Sequence, residues 1–133
     1  DLHTAYRRQR QMCIRDSAIQ MFMPGKPQVW YLDLFAGKND HEAVQRAGES
    51  GHKEINRTNL STDQIAEGLK QDVVQKQLAL IRMRNTHKAF SEGAEVAISG
   101  GERSLEIRWE YNSAFVTLYV NFESGTYTIV ESR

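Results

Sequence analysis

The sequence predicts an α+β chain in which a strand, a long loop and a helical segment precede a small antiparallel β-domain. An apolar run at residues 28–32 follows Pro27 and indicates the strand. From residue 61 the apolar positions recur at helical spacing, and from residue 95 they alternate with polar ones. This change of period separates a helical part of the chain from a sheet-forming part.

Residues 18–34 predict the end of a helix and then a buried strand. Residues 18–23 are compatible with a helix, which Pro24 and Gly25 should end, because proline disfavours helical geometry in the preceding residue. The near-continuous apolar run 28–32 is typical of a strand that both faces of a parallel sheet bury. We therefore expect Trp30 and Tyr31 inside a sheet.

Residues 33–60 form a long loop with glycines at positions 37, 48 and 51 and one helical turn expected at 43–47. Structureless loops of this length inside compact domains are usually functional or disordered. A substrate-binding loop and a solvated connector are both open. Its histidines and a later one (His41, His52 and His87) lack the i, i+4 spacing of helical ligand pairs, so no metal site is expected.

Residues 61–86 predict two helices. Ser61 and Gln64 have the S-x-x-Q form of a capping box, which starts the first helix. Gly68 and the polar residues 70–72 should separate it from a second helix that ends near Asn85 and Thr86. We expect the solvent side of this second helix to carry Lys76, Arg82 and Arg84.

The alternating segment predicts an antiparallel meander of four short strands. Its turns are indicated by glycine- and asparagine-containing pairs: Gly100–Gly101, Asn112–Ser113 and Ser124–Gly125. Residues 105, 107 and 109 are apolar and alternate with charged ones, as in a sheet with one buried face.

Several short motifs carry a family resemblance. Residues 24–31 fit P-G-x-P-x-x-Y-Y with Trp30 in one aromatic position, residues 36–40 read A-G-K-N-D, residues 55–57 read I-N-R, and residues 84–87 read R-N-T-H. Over residues 18–110 the chain resembles the sucrose phosphorylase branch of the α-amylase superfamily. It departs from that branch at Glu54, where aspartate is usual, and at residues 58–60, where the family has aromatics. The acceptor part of the substrate is therefore not determined: glucosylglycerol, glucosylglycerate and a sucrose phosphate all remain open as substrates.

The resemblance implies a C-terminal fragment. Residues 18–90 would be the last β/α unit of a catalytic (β/α)8 barrel, and residues 91–133 the antiparallel β-domain that follows it. The parent would be a retaining α-glucoside phosphorylase that transfers glucose to phosphate, with an α-glucoside and phosphate as partners and no cofactor. A sucrose hydrolase or α-glucosidase of the same superfamily is the alternative. A non-catalytic β-module that binds carbohydrate or protein is another.

The resemblance also implies which residues meet the substrate. The catalytic carboxylates of this family lie on earlier barrel strands, so we assign no catalytic residue here and interpret Asp33, Asp40 and Glu42 as loop charges. Arg57 would lie beside the glucosyl subsite, where a guanidinium can bind sugar hydroxyls, and Asn56 would support it. Pairing of Arg57 with Glu54 is the alternative. Stacking of Trp30 and Tyr31 on sugar is less favoured than their burial.

Residues 1–17 are expected to be non-native. Back-translated, residues 7–17 match one frame of a transposase sequencing adaptor, and the preceding residues fit its upstream primer and index. We therefore leave this segment out of the fold and expect it to pack poorly.

Composition excludes several classes of partner. The chain has 17 basic and 17 acidic residues, and without residues 1–17 it has 13 and 15, a net charge of −2. Such a balance predicts no binding to nucleic acid or an anionic membrane. No apolar run approaches the roughly 20 residues needed to span a bilayer. The one cysteine, Cys13, lies in the excluded segment, so a reducing, cytoplasmic location is expected.

Overall fold

The computed structural model describes residues 14–37, 40–55 and 57–133, without the side chains of residues 50, 52 and 53. These residues divide into two compact units. One comprises the described residues up to Pro27 together with Lys76–Arg133, and the other is Gln28–Gln75.

Among the described residues, helices lie between residues 14 and 90 and strands between residues 95 and 131. The helices are α1 (residues 14–22), α2 (Tyr31–Leu34), α3 (His41–Ala47), α4 (Thr62–Leu69) and α5 (Asp72–Thr86), with 3₁₀ segments at Gly48–Glu54 and Lys88–Phe90. The strands are β1 (Glu95–Gly101), β2 (Ser104–Tyr111), β3 (Ala114–Asn121) and β4 (Thr126–Glu131).

The four strands form one antiparallel sheet in the order β1-β2-β3-β4. The inner face carries Ile107, Val116, Leu118 and Val120, all buried, so the alternation in the sequence marks this face correctly. The outer face carries Arg108 and Thr117, which lie opposite each other on β2 and β3, and also Tyr119 of β3. The α+β class and the predicted meander are confirmed.

A cluster of aromatic rings joins the sheet to α1 and to the end of α5. Trp109 donates its indole N–H to the carbonyl oxygen of Phe22 at 2.6 Å. The ring of Phe90 packs edge-on against Phe22, with centroids 5.4 Å apart, and at a tilt against Trp109, with centroids 5.3 Å apart. These contacts bury apolar surface and also satisfy a carbonyl group at the C-terminal end of α1, which has no helical partner of its own.

Arg84 lies within this cluster, and the expectation that it faces solvent is wrong. Its guanidinium carbon lies 4.3 Å from the centroid of the Trp109 ring and 4.5 Å from that of Phe90. Its Nη2 donates to the carbonyl oxygen of Gly25 at 2.9 Å. Burial lowers the pKa of the Arg84 guanidinium from its ordinary value, because desolvation disfavours the charged form. Helical periodicity missed this position because the aromatic rings that hold the cation come from elsewhere in the chain.

The predicted helix boundaries are confirmed. In α4, Ser61 Oγ accepts from Gln64 N at 3.2 Å while Gln64 Oε1 accepts from Ser61 N at 2.8 Å, which completes the capping box. α4 ends at Leu69 and α5 begins at Asp72, so the break falls at the predicted polar residues.

The predicted strand over residues 28–32 is wrong. Residues 26–30 belong to no strand, and Tyr31–Leu34 form a single helical turn closed by local bonds from Leu34 N to Trp30 O and from Phe35 N to Tyr31 O. A parallel strand requires neighbours that accept its backbone hydrogen bonds, and the described strands pair only with one another. Trp30 and Tyr31 are accordingly 45% and 36% exposed rather than buried in a sheet.

Residues 14–17 contradict the expectation that the N-terminal segment packs poorly. They belong to α1, and Ile14 is buried. Residues 1–13, including Cys13, lie outside the described part of the chain, and the non-native origin of residues 1–17 stays a prediction. So do the predicted domain boundaries at 17/18 and 90/91.

Across the ranges that the structure describes, none of the helices has both the length and the apolar character that a transmembrane span needs.

We predict that Trp109→Phe lowers the free energy of unfolding by about 1–3 kcal/mol, because the buried carbonyl of Phe22 loses its donor. Urea denaturation followed by far-UV circular dichroism measures this loss. The matched control is Trp30→Phe: Trp30 is 45% exposed, so the substitution should change stability by less than about 0.5 kcal/mol. Equal losses for the two variants would contradict the role given to the indole N–H.

We predict that Ser113→Gly stabilises the chain by about 0.5–1 kcal/mol. Asn112 and Ser113 have φ values of +47° and +67° in the β2–β3 turn, a conformation that glycine adopts without steric cost. The thermal midpoint should rise for Ser113→Gly and stay level or fall for Ser113→Ala, which removes the same hydroxyl without the conformational gain. A rise for both variants would refute the backbone explanation.

Candidate functional site

The candidate site lies in the unit Gln28–Gln75, where the loop between α2 and α4 folds back on itself. The backbone N–H of Asp40 donates to the carbonyl oxygen of Ile55 at 2.8 Å. This bond brings the end of the A-G-K-N-D run next to the start of the I-N-R run. Asp40 and Ile55, 15 positions apart in the sequence, therefore meet at the base of one closed loop.

Asp40 shapes this loop as a helix cap. Its Oδ1 accepts from Ala43 N at 2.8 Å, which satisfies a free N–H at the start of α3. Arg46 approaches Asp40 at 3.8 Å and Glu42 at 3.7 Å from the last turn of the same helix. The carboxylate of Asp40 thus has a local structural role, and that of Glu42 is exposed to solvent.

Two glycines let the loop chain pack closely. A Cβ atom on Gly37 would lie 2.2 Å from the Cδ1 of buried Leu32, and a Cβ on Gly51 would lie 2.3 Å from the carbonyl oxygen of Val44. Both distances are far below van der Waals contact, and the second neighbour is backbone, which cannot swing away. The glycines noted in the sequence therefore act by close approach at these positions.

Arg57 lies just beyond the closed loop with its guanidinium exposed. Its Nη1 donates to Glu54 Oε1 at 3.3 Å, and its backbone N–H donates to the carbonyl of Glu54 at 3.2 Å. The structure therefore shows the pairing with Glu54 that the sequence left as the alternative. An exposed ion pair of this kind contributes about 0–1 kcal/mol, so a ligand can compete for the guanidinium. Asn56, the second predicted site residue, lies outside the described residues.

Tyr31 holds the segment next to Arg57. Its hydroxyl donates to the carbonyl oxygen of Thr58 at 2.7 Å, and its ring lies 5.0 Å from that of Trp30. An exposed aromatic pair thus stands at one end of the loop, tied to the residue that follows the exposed arginine. The sequence predicted burial for both rings and missed this contact; the adjacent aromatics were its only signal.

Among the described residues, no three His, Cys, Asp or Glu side chains are placed to hold a metal ion. His87 instead caps the 3₁₀ segment Lys88–Phe90, where its Nδ1 accepts from Ala89 N at 3.1 Å. His41 is the first residue of α3. The side chain of His52 lies outside the described part of the structure.

This arrangement can hold a polyhydroxylated ligand more readily than it can perform bond cleavage. An exposed guanidinium supplies donors to hydroxyl or phosphate oxygens, and exposed aromatic rings supply an apolar face. The carboxylates of Asp40 and Glu54 are engaged in local contacts at the cap and with Arg57.

Comparison with known proteins gives the chain a clear set of relatives. It is 50% identical over 116 residues to a sucrose 6(F)-phosphate phosphorylase of Ilumatobacter coccineus, a match that covers 87% of this chain and 22% of the relative. It is 40% identical over 115 residues to a sucrose phosphorylase of Agrobacterium vitis, covering 86% and 23% of the two chains. No protein-family model matches the chain.

A solved structure shows the same fold. The crystal structure of sucrose 6F-phosphate phosphorylase from Thermoanaerobacter thermosaccharolyticum superposes with a TM-score of 0.83 and 34% sequence identity, covering 93% of this chain and 25% of that one. The chain thus spans about a quarter or less of the length of the relatives that it matches. By sequence and by fold, it corresponds to the C-terminal portion of sucrose phosphorylase-like glycoside phosphorylases.

Proposed function

We propose that the chain is the C-terminal part of a retaining α-glucoside phosphorylase, which transfers a glucosyl group from an α-glucoside to phosphate. The observation that carries this proposal is the 50% sequence identity to a sucrose 6(F)-phosphate phosphorylase over 116 residues. We take sucrose 6F-phosphate as the first substrate to test, with phosphate as the second and a cytoplasmic location for the whole enzyme.

In the proposed reaction, one carboxylate attacks the anomeric carbon of the glucosyl group and a carboxylic acid protonates the leaving oxygen. Phosphate then displaces the enzyme carboxylate, so two inversions give α-glucose 1-phosphate and the free acceptor sugar. Residues upstream of this chain would supply both carboxyl groups. The role proposed for this chain is to hold the sugar.

Arg57 is the residue proposed to bind the substrate, with Asn56 beside it. Its exposed guanidinium and its weak surface pairing with Glu54 support this role, because a ligand oxygen can replace the carboxylate. The aromatic pair of Trp30 and Tyr31 at the same loop supports a sugar-facing surface.

A chimaera tests the proposal directly. Residues 18–133 replace the matching portion of the Ilumatobacter coccineus enzyme, and α-glucose 1-phosphate is measured with sucrose 6F-phosphate and phosphate present. We expect phosphate-dependent formation of this product. Release of free glucose at a rate independent of phosphate would instead contradict the proposal, because this portion would then not support transfer to phosphate. Circular dichroism verifies that the chimaera is folded before either result is scored.

We predict that Arg57→Ala in this chimaera lowers kcat/KM by about 10- to 150-fold, which corresponds to the loss of one hydrogen bond from a charged donor. The matched control is Arg46→Ala, an exposed arginine of the same loop that pairs with Glu42. It should change kcat/KM by less than about twofold. Equal effects of the two substitutions would show that Arg57 does not bind the substrate.

A further inference from the structure

The outer face of the β-sheet carries a second polar surface, far along the sequence from Arg57. The register places Ser99, Glu106, Tyr119 and Thr128 opposite one another in a single row that crosses all four strands. A depression of about 400 Å³ lies over this row. We define these four residues as the outer-face row.

The side chains of the outer-face row are available to a ligand. Tyr119 is 43% exposed although it lies on a central strand, and Glu106 beside it is half-buried. Within the part of the chain that the structure describes, none of the four side chains forms a hydrogen bond or ion pair. By contrast, the neighbouring outer-face residues are satisfied: Arg108 donates to Glu110 and to Thr117.

One rim of the depression is held rigid by hairpin turns. Asn121 accepts from the backbone N–H groups of Glu123 and Ser124 at 2.9 and 3.0 Å. The hydroxyl of Ser104 accepts from Gly101 N at 3.2 Å. A rim fixed in this way lowers the entropy lost when a ligand is ordered against it.

The residues that line the depression favour a neutral polyol as the ligand. The volume of about 400 Å³ falls within the range of small-molecule sites. Hydroxyls and one carboxylate supply donors and acceptors, and the Tyr119 ring supplies an apolar face for the C–H groups of a sugar. The lining holds no lysine or arginine, and Glu106 repels anions, which disfavours phosphorylated ligands and nucleic acid.

We propose that the outer-face row is a non-catalytic binding site for neutral α-linked glucosyl oligosaccharides, with Tyr119 as the stacking platform and Glu106 as a hydroxyl acceptor. The choice of α-linked glucose rests on the proposed function, whereas the class of neutral polyol rests on the lining alone. The site lies in the sheet and does not use Arg57 or the loop around it.

Binding is tested on the 133-residue chain with maltotriose as the probe, followed by amide resonances in two-dimensional NMR. We expect saturable shifts confined to the outer-face row and its neighbours, with a dissociation constant of about 1 mM. Tyr119→Ala should weaken binding by at least about fivefold, and Glu106→Gln by a smaller factor. Val130→Ala, an equally exposed residue on the same face outside the depression, should leave affinity unchanged.

Shifts that are absent up to about 10 mM maltotriose, or that persist unchanged in Tyr119→Ala, would overturn the proposal. Because Tyr119 is exposed, its substitution should leave the spectrum of a folded chain intact, and that spectrum is the check on folding. The test needs no catalytic group. Its failure therefore leaves phosphate-dependent activity of the chimaera unaffected, and failure of the chimaera leaves binding to the sheet unaffected.

Discussion

The hydrogen bond from the indole of Trp109 to the carbonyl oxygen of Phe22 connects the sheet to the helix that begins the described chain. It spans 87 positions of sequence, so it forms only after the sheet and α1 have come together. Two carbonyl groups lie at the end of α1 and in the bend that follows it, those of Phe22 and Gly25. Side chains from distant elements donate hydrogen bonds to both. Trp109 binds the first, and Arg84 binds the second.

Arg84 shows why a cation is tolerated in this position. A half-buried guanidinium costs desolvation free energy, which lowers its pKa. The rings of Trp109 and Phe90 lie against it, however, and its Nη2 donates a hydrogen bond to the carbonyl oxygen of Gly25. Replacement by lysine would keep the charge but lose the flat contact with two rings. The R-N-T-H run that linked the sequence to its relatives is therefore, at its arginine, a packing feature of the fold.

The loop around Arg57 is built on a different principle. Its shape depends on backbone bonds, a helix cap at Asp40 and the close approach allowed by Gly37 and Gly51, with little apolar burial. The described residues of this loop present charged and aromatic groups to solvent, while the bond from Asp40 N to Ile55 O closes the loop. That is the arrangement expected of a loop that serves a ligand rather than a core.

Local features of the sequence determined the capping box at Ser61, the break between α4 and α5, the meander and its turns, and the family to which the motifs pointed. Each depends on residues a few positions apart, whose backbone geometry the side chains themselves restrict. The exposure of Trp30 and Tyr31 and the enclosure of Arg84 could not be predicted in the same way. An apolar run has the same pattern whether or not a neighbouring strand is present to bury it, and a helical cation has the same spacing whether water or aromatic rings surround it. Only the tertiary structure decided these positions, because their surroundings come from distant parts of the chain.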